Sequence, residues 1–159
     1  MSVAFVPEES AESAQDVTLP ERPISTHPNL VTRSGFQALE QAVADSREAL
    51  KAAQVIEDAN ERHRALELAA RDARYFSERL ASATLRPEPT GVEVVTFGHR
   101  VTIIRDDDRR QTYRIVGEDE ADPRVGSISY VSPLARRPDK RGGDFVDMDG
   151  HEIEILAIT

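Results

Sequence analysis

The stretch TRSGFQALEQAVADSREALKAAQ, Thr32 to Gln54, sets the architecture of the first half of the chain. Phe36, Leu39, Val43, Leu50 and Ala53 fall on heptad a and d positions, and Ser46 stands at a d position as a weak member. That is the period of a helical seam, which repeats every ~3.5 residues. A second run, RALELAARDARYFSERLASATL, repeats the pattern with Leu66, Ala69, Ala73, Phe76, Leu80 and Ala83. Gly and Pro are absent from Phe36 to Arg86, and good helix formers dominate. The polar segment VIEDANERH joins the two runs. Two helices with so short a connection pack antiparallel as a hairpin. Alanine at many seam positions predicts a thin rod.

Outward from the hairpin the character changes on both sides. Residues 1–28 hold Pro7, Pro20, Pro23 and Pro28, with five acids, one arginine and apolar residues mostly alone. Such a segment cannot offset its ordering entropy by burial, so a disordered acidic tail is expected over residues 1–28. The hairpin is expected over 29–86. RPEPTG then breaks the helix, with a linker at 87–91. From residue 92 to 159 the period becomes 2, in VEVVTFGHRVTIIR, QTYRIVGE, GSISYVS and HEIEILAI. RDDDRRQ and MDGH read as turns. SPLARR reads as one helical turn, with Ser132 as N-cap and Pro133 at its first position. The expectation is an α+β chain, a helical hairpin followed by a small, mostly antiparallel sheet.

Composition excludes several classes of function. The chain has no cysteine, which removes disulfides, thiolate metal sites and thiol nucleophiles. No apolar run approaches the ~18 residues of a membrane span, and the N-terminus lacks the pattern of a secretory signal. A soluble cytoplasmic monomer is expected. The net charge of −9 argues against unaided binding to duplex nucleic acid. His27, His63, His99 and His151 are scattered without metal-site spacing, and Ser132 has no nucleophile-elbow context. No independent enzyme emerges.

The most distinctive wording is YRIVGEDEADPRVGSISYVSPLAR, Tyr113 to Arg136. Glu118, Asp119, Glu120 and Asp122 crowd five positions beside a strand. By residue type alone they read as a solvated turn. Together with VTFGHRVTI, GGD and the opening TRSGFQAL, this wording resembles the Gre family of bacterial transcription elongation factors, over roughly residues 30–159. The resemblance implies an FKBP-like second domain without isomerase activity. It implies a partner, bacterial RNA polymerase, gripped at the rim of its secondary channel, with nucleic acid met only through polymerase. Glu118, Asp119, Glu120, Asp122, Ser132, Pro133, Leu134 and Arg136 would be the polymerase-binding residues. It also implies a hairpin tip that enters the channel and presents two carboxylates, in a motif of the form G-D-L-x-E-N, to the second Mg²⁺ of the polymerase active site. The chain would have no cofactor of its own beyond a share in that Mg²⁺, which prefers hard oxygen ligands.

The tip departs from the family pattern. The nearest string is EDANERHR, in which Asp58 and Glu61 keep a D-x-x-E spacing. They are the candidate catalytic and metal-ligating carboxylates, placed on one face if both are helical. The hairpin is about one heptad shorter than the family's, which shortens a two-helix rod by about 5 Å at ~1.5 Å per residue. Three readings follow. One is a secondary-channel factor that modulates elongation and aids transcript cleavage. Another is a channel-blocking regulator without cleavage. The third is an FKBP-like interaction module unrelated to polymerase. Forward-aimed tip carboxylates favour the first, a short or basic tip the second, and failure to capture polymerase the third.

Overall fold

The computed structural model of the chain describes residues 18–136 and 140–159. Helix α1 (Arg33–Gln54) starts at Thr32, whose Oγ1 accepts the Gly35 amide at 3.0 Å. This satisfies one of the orphan donors of the first turn. Helix α2 (Ala59–Ser82) follows after the short connection Val55 to Asp58 and packs along α1. Leu39, Val43, Ser46 and Ala53 of α1 and Ala69 of α2 are buried in the seam, as the heptad pattern predicts. Ser46 is tolerated there because its hydroxyl donates back to the Ala42 carbonyl at 2.7 Å. Phe36, Leu50, Leu66, Phe76 and Leu80 are only half-buried. Two helices alone cannot enclose large side chains, which is the physical meaning of a thin rod.

The base of the hairpin carries an element that the periodicity does not disclose. Strand β1 (Leu30–Val31) pairs in parallel with β2 (Thr84–Leu85), joining Leu30 to Thr84 and Val31 to Leu85. Asn29 reinforces this clip by donating from Nδ2 to the Arg79 carbonyl at 2.6 Å.

The second half is a five-stranded sheet. Strands β3 (Arg100–Ile104), β4 (Arg110–Val116), β5 (Ser127–Ser129), β6 (Phe145–Met148) and β7 (His151–Ile158) lie in the order β5-β4-β3-β7-β6. All neighbours are antiparallel except β4 and β5, which run parallel. Val95, Val101, Ile103, Ile115, Ile128, Leu134, Val146, Ile153 and Ile155 form the core, with Ile158 at its edge. The inward set on β7 changes phase because a bulge between Thr102 and Ile103 of β3 leaves Leu156 without a partner. One extra residue flips every later side chain to the other face. Ile153, Ile155 and Ile158 can therefore all point inward.

Three local expectations change. The stretch VEVVTFGHRVTIIR is strand only from Arg100. Before it, buried His99 shapes a loop, its Nδ1 accepting the Thr96 amide at 3.0 Å and its Nε2–H donating to the Gly91 carbonyl at 2.5 Å. β6 was not anticipated, although Asp149 and Gly150, at φ 53° and 80°, make the tight turn that MDGH suggests. Ser132 does not act as a side-chain cap. The Arg136 amide closes one turn on the Ser132 carbonyl at 2.9 Å, but Ser132 Oγ is buried without a hydrogen-bond partner among the described residues.

The expected tail divides. Residues 1–17 lie outside the described residues. Residues 18–28 are ordered along α2. There the Arg22 guanidinium sits 3.8 Å from the Tyr75 ring centre and 4.8 Å from that of Phe76. Its Nη1 donates to Asp72 at 3.3 Å. Cation–π contact and an ion pair thus hold a segment whose composition suggested disorder.

Candidate functional site

The acidic cluster after β4 faces inward, toward the hairpin. Arg79, near the end of α2, is only 2% exposed. Its Nε donates to Asp119 Oδ2 at 2.5 Å, and its Nη2 lies 3.7 Å from Glu118 Oε2, within ion-pair but beyond hydrogen-bond range. Tyr75 donates its hydroxyl to the other Asp119 oxygen at 2.5 Å. Burial, followed by the bond to Asp119 and its negative charge, pushes the Tyr75 phenol up to about 12. Asp119 thus satisfies a buried arginine and a tyrosine on the same helix, one turn apart.

Glu120 meets the other helix. Thr32 Oγ1 donates to its Oε2 at 2.5 Å and Ser34 Oγ to its Oε1 at 2.7 Å. A carboxylate at the start of α1 is favoured by the helix dipole. The approach is so close that a Cβ on Gly35 would lie 2.5 Å from Glu120 Oε2. Gly117 plays the same part on the other side, where a Cβ would lie 2.4 Å from the Leu30 carbonyl oxygen. Tyr130 adds a hydrogen bond from its hydroxyl to the Pro28 carbonyl. The cluster therefore joins hairpin and sheet.

The remaining residues expected to bind a partner are differently placed. Asp122 caps a 3₁₀ turn at Pro123–Val125, accepting from the Arg124 amide at 3.0 Å and from its guanidinium at 2.9 and 3.0 Å. Those bonds hold its carboxyl below the usual range. Pro133 and Arg136 are exposed, and Arg136 Nη2 reaches His27 Nε2 at 3.4 Å. Leu134 is 0% exposed within the sheet core, so its side chain offers no contact to a partner. Sequence reasoning missed Arg79, Tyr75, Thr32 and Ser34. It also missed Val125, which is 77% exposed in the turn that Asp122 caps. By residue type the acids of GEDE read as a solvated turn, and the cationic partner of Asp119 lies 40 residues away in sequence.

At the far end of the hairpin, Asp58 is not helical. It is the N-cap of α2, at φ −66° and ψ 124°, and its Oδ1 accepts the Glu61 amide at 2.7 Å. Asp58 is thus an N-cap, and the two acids are not a pair on one helical face. Arg62 closes the connection by donating from Nη1 to the Ile56 and Glu57 carbonyls at 2.7 and 3.2 Å. Glu57, Asp58 and Glu61 are exposed. Among the described residues no group of three or more His, Cys, Asp or Glu is placed to hold a metal ion.

The family model for the C-terminal part of GreA/GreB transcription elongation factors matches residues 88–159. The chain is 37% identical over 121 residues to GreA of Vibrio parahaemolyticus, covering 74% of this chain and 72% of that protein. It is 34% identical over 152 residues to GreA of Methylobacterium nodulans, covering 81% and 95%. The chain belongs to the GreA/GreB family of transcription elongation factors. With GreB of Neisseria meningitidis it shares 42% identity over 95 residues, 55% of this chain and 58% of that one, so the match spans less than two thirds of that relative. Among solved structures, GreA factor homolog 1 (Gfh1) of Thermus thermophilus is similar at 23% identity and a TM-score of 0.38, covering 84% of this chain and 99% of that one. The GreA/GreB factor of Nitrosomonas europaea is similar at 15% identity and a TM-score of 0.37, covering 84% and 98%. No helix among the described residues is long and apolar enough to cross a membrane.

Proposed function

We infer that this Gre-family chain binds bacterial RNA polymerase at the rim of its secondary channel and modulates elongation by placing its hairpin in that channel, without supplying the carboxylates for transcript cleavage. The observation that carries the second half of this reading is the tip. One oxygen of Asp58 is committed to starting α2, and Arg62 occupies the same turn. A capping carboxylate freed for a metal would leave the Glu61 amide unsatisfied, and a cap is worth about 1 kcal/mol. Metal ligation also tolerates misplacement of only a few tenths of an ångström, which a rod shortened by about 5 Å exceeds. The chain is therefore a factor that acts on an enzyme, with no reaction of its own.

Docking is assigned to the sheet. Within the expected set, Pro133 and Arg136 are exposed, the Asp122 side chain is 33% exposed, and Val125 adds an exposed apolar side chain beside Asp122. Glu118 is partly accessible. Asp119 and Glu120 support the surface by fixing the hairpin beneath it. The deciding experiment measures RNA cleavage and nucleotide addition in a stalled, backtracked polymerase complex, with and without the chain. Slower addition without added cleavage is expected. Cleavage that is stimulated by wild type and lost in both Asp58→Ala and Glu61→Ala would reverse the reading of the tip. Failure to bind polymerase at all would leave an interaction module of another kind.

A further inference from the structure

Among the described residues, the hairpin bears an open apolar groove that its two helices do not fill. It has a volume of about 730 Å³ and is walled by Ala49, Ala53 and Ile56 on one side and by Leu68, Asp72 and Phe76 on the other. Leu68 is 47% exposed there. The ordered N-terminal arm leads to it. Asn29 sits against Arg79 and Ser82, whereas Arg22 sits against Asp72, Tyr75 and Phe76. Going back along the chain, the arm thus moves along α2 from the base toward the tip. Asp72 and Phe76, the last residues touched by Arg22, are also walls of the groove.

We propose that the segment Val3-Ala4-Phe5-Val6 of this same chain occupies the groove and covers the hairpin. Residues 3–6 are the one run of four apolar residues upstream of Asn29. The twelve residues from Val6 to Thr18 reach about 40 Å when extended, at ~3.3 Å each. The groove from Asp72 to Ala65 occupies about 10 Å of helix at ~1.5 Å per residue. The reach is ample. Phe5 and Val6 would remove apolar area from water that Leu68 and Phe76 now expose, the ordinary driving force of burial. That a covered hairpin is too thick for a narrow pore rests on the channel-entry reading above, but the contact itself is tested without polymerase.

The absence of native cysteine permits a clean test. A spin label is attached to the full chain through Ser2→Cys, and the methyl signals of the hairpin are followed by NMR. Loss of the Ala49, Leu68 and Ile56 signals is expected, unchanged on dilution and abolished by the additional pair Phe5→Ser and Val6→Ser. The core methyls of Ile103 and Ile155 report that the sheet is intact in every sample. Unaffected groove signals would overturn the proposal. Attenuation that fades on dilution would also overturn it, by assigning the groove to a second copy of the chain.

Discussion

Replacing Asp119 by alanine tests whether the acidic cluster is a joint. The substitution removes the acceptor of Arg79 Nε, at 2.5 Å, and of the Tyr75 hydroxyl, at 2.5 Å. Arg79 is 2% exposed, so its charge stays buried. Stranding one member of a buried ion pair costs about 3–5 kcal/mol. Two features set the value at the low end. Glu118 remains 3.7 Å from Arg79, and the Asp119 side chain is 15% exposed, which admits water. A loss of about 3 kcal/mol is expected in urea unfolding of the full chain followed by circular dichroism. The double variant Arg79→Leu with Asp119→Leu should recover most of it, because an apolar pair leaves no buried charge. Tyr75 gives an independent readout. Its phenol is raised to about 12 in the folded chain, against about 10 when unfolded. The folded form therefore holds that proton more tightly, and stability falls as pH rises from about 10 toward 12. In Asp119→Ala the contribution of the Asp119 bond and charge disappears, so the highest tyrosinate step in the ultraviolet titration should move down. A loss under about 1 kcal/mol, the value of an exposed pair, together with an unmoved tyrosinate step, would refute the joint.

Other outcomes follow from the same geometry. Gly35→Ala should lower stability by about 1–3 kcal/mol, because the new Cβ displaces Glu120 from Thr32 and Ser34; thermal unfolding measures it, and Glu120→Ala in the same background should then add little. Asp58→Ala should cost about 1 kcal/mol and Asp58→Ser much less, as for any N-cap, while neither changes polymerase affinity. Ile155→Ala, in the sheet core, should cost about 2–5 kcal/mol by urea denaturation. Asp122→Lys should weaken polymerase binding in a pull-down at a modest stability cost, that of its lost cap, whereas Asp119→Lys should lower stability by about 3 kcal/mol or more.

The sequence by itself determined the elements and their order. A seam of Leu39, Val43, Ala53 and Ala69 at the coiled-coil period specifies a hairpin, because residues three and four apart on a helix share one face. Alternation in QTYRIV and HEIEILAI specifies strands, and Asp149–Gly150 specifies a tight turn, since these are properties of neighbours in the chain. The GreA/GreB membership was legible for the same reason, as wording within one continuous stretch. Only the tertiary structure decided what the acids do. Asp119 and Glu120 are spent on Arg79, Tyr75, Thr32 and Ser34, residues 40 to 88 positions away, and no local period encodes a pairing across that distance. The D-x-x-E at the tip has two physical meanings, a shared helical face or an N-cap followed by a first-turn acid, and they differ by the backbone angles of Asp58. Phase along β7 was equally hidden, because the bulge that resets it is a relation between two strands. The order of residues 18–28 came from Arg22 finding two rings and a carboxylate on a helix already formed, which composition, counting residues without their neighbours in space, does not register.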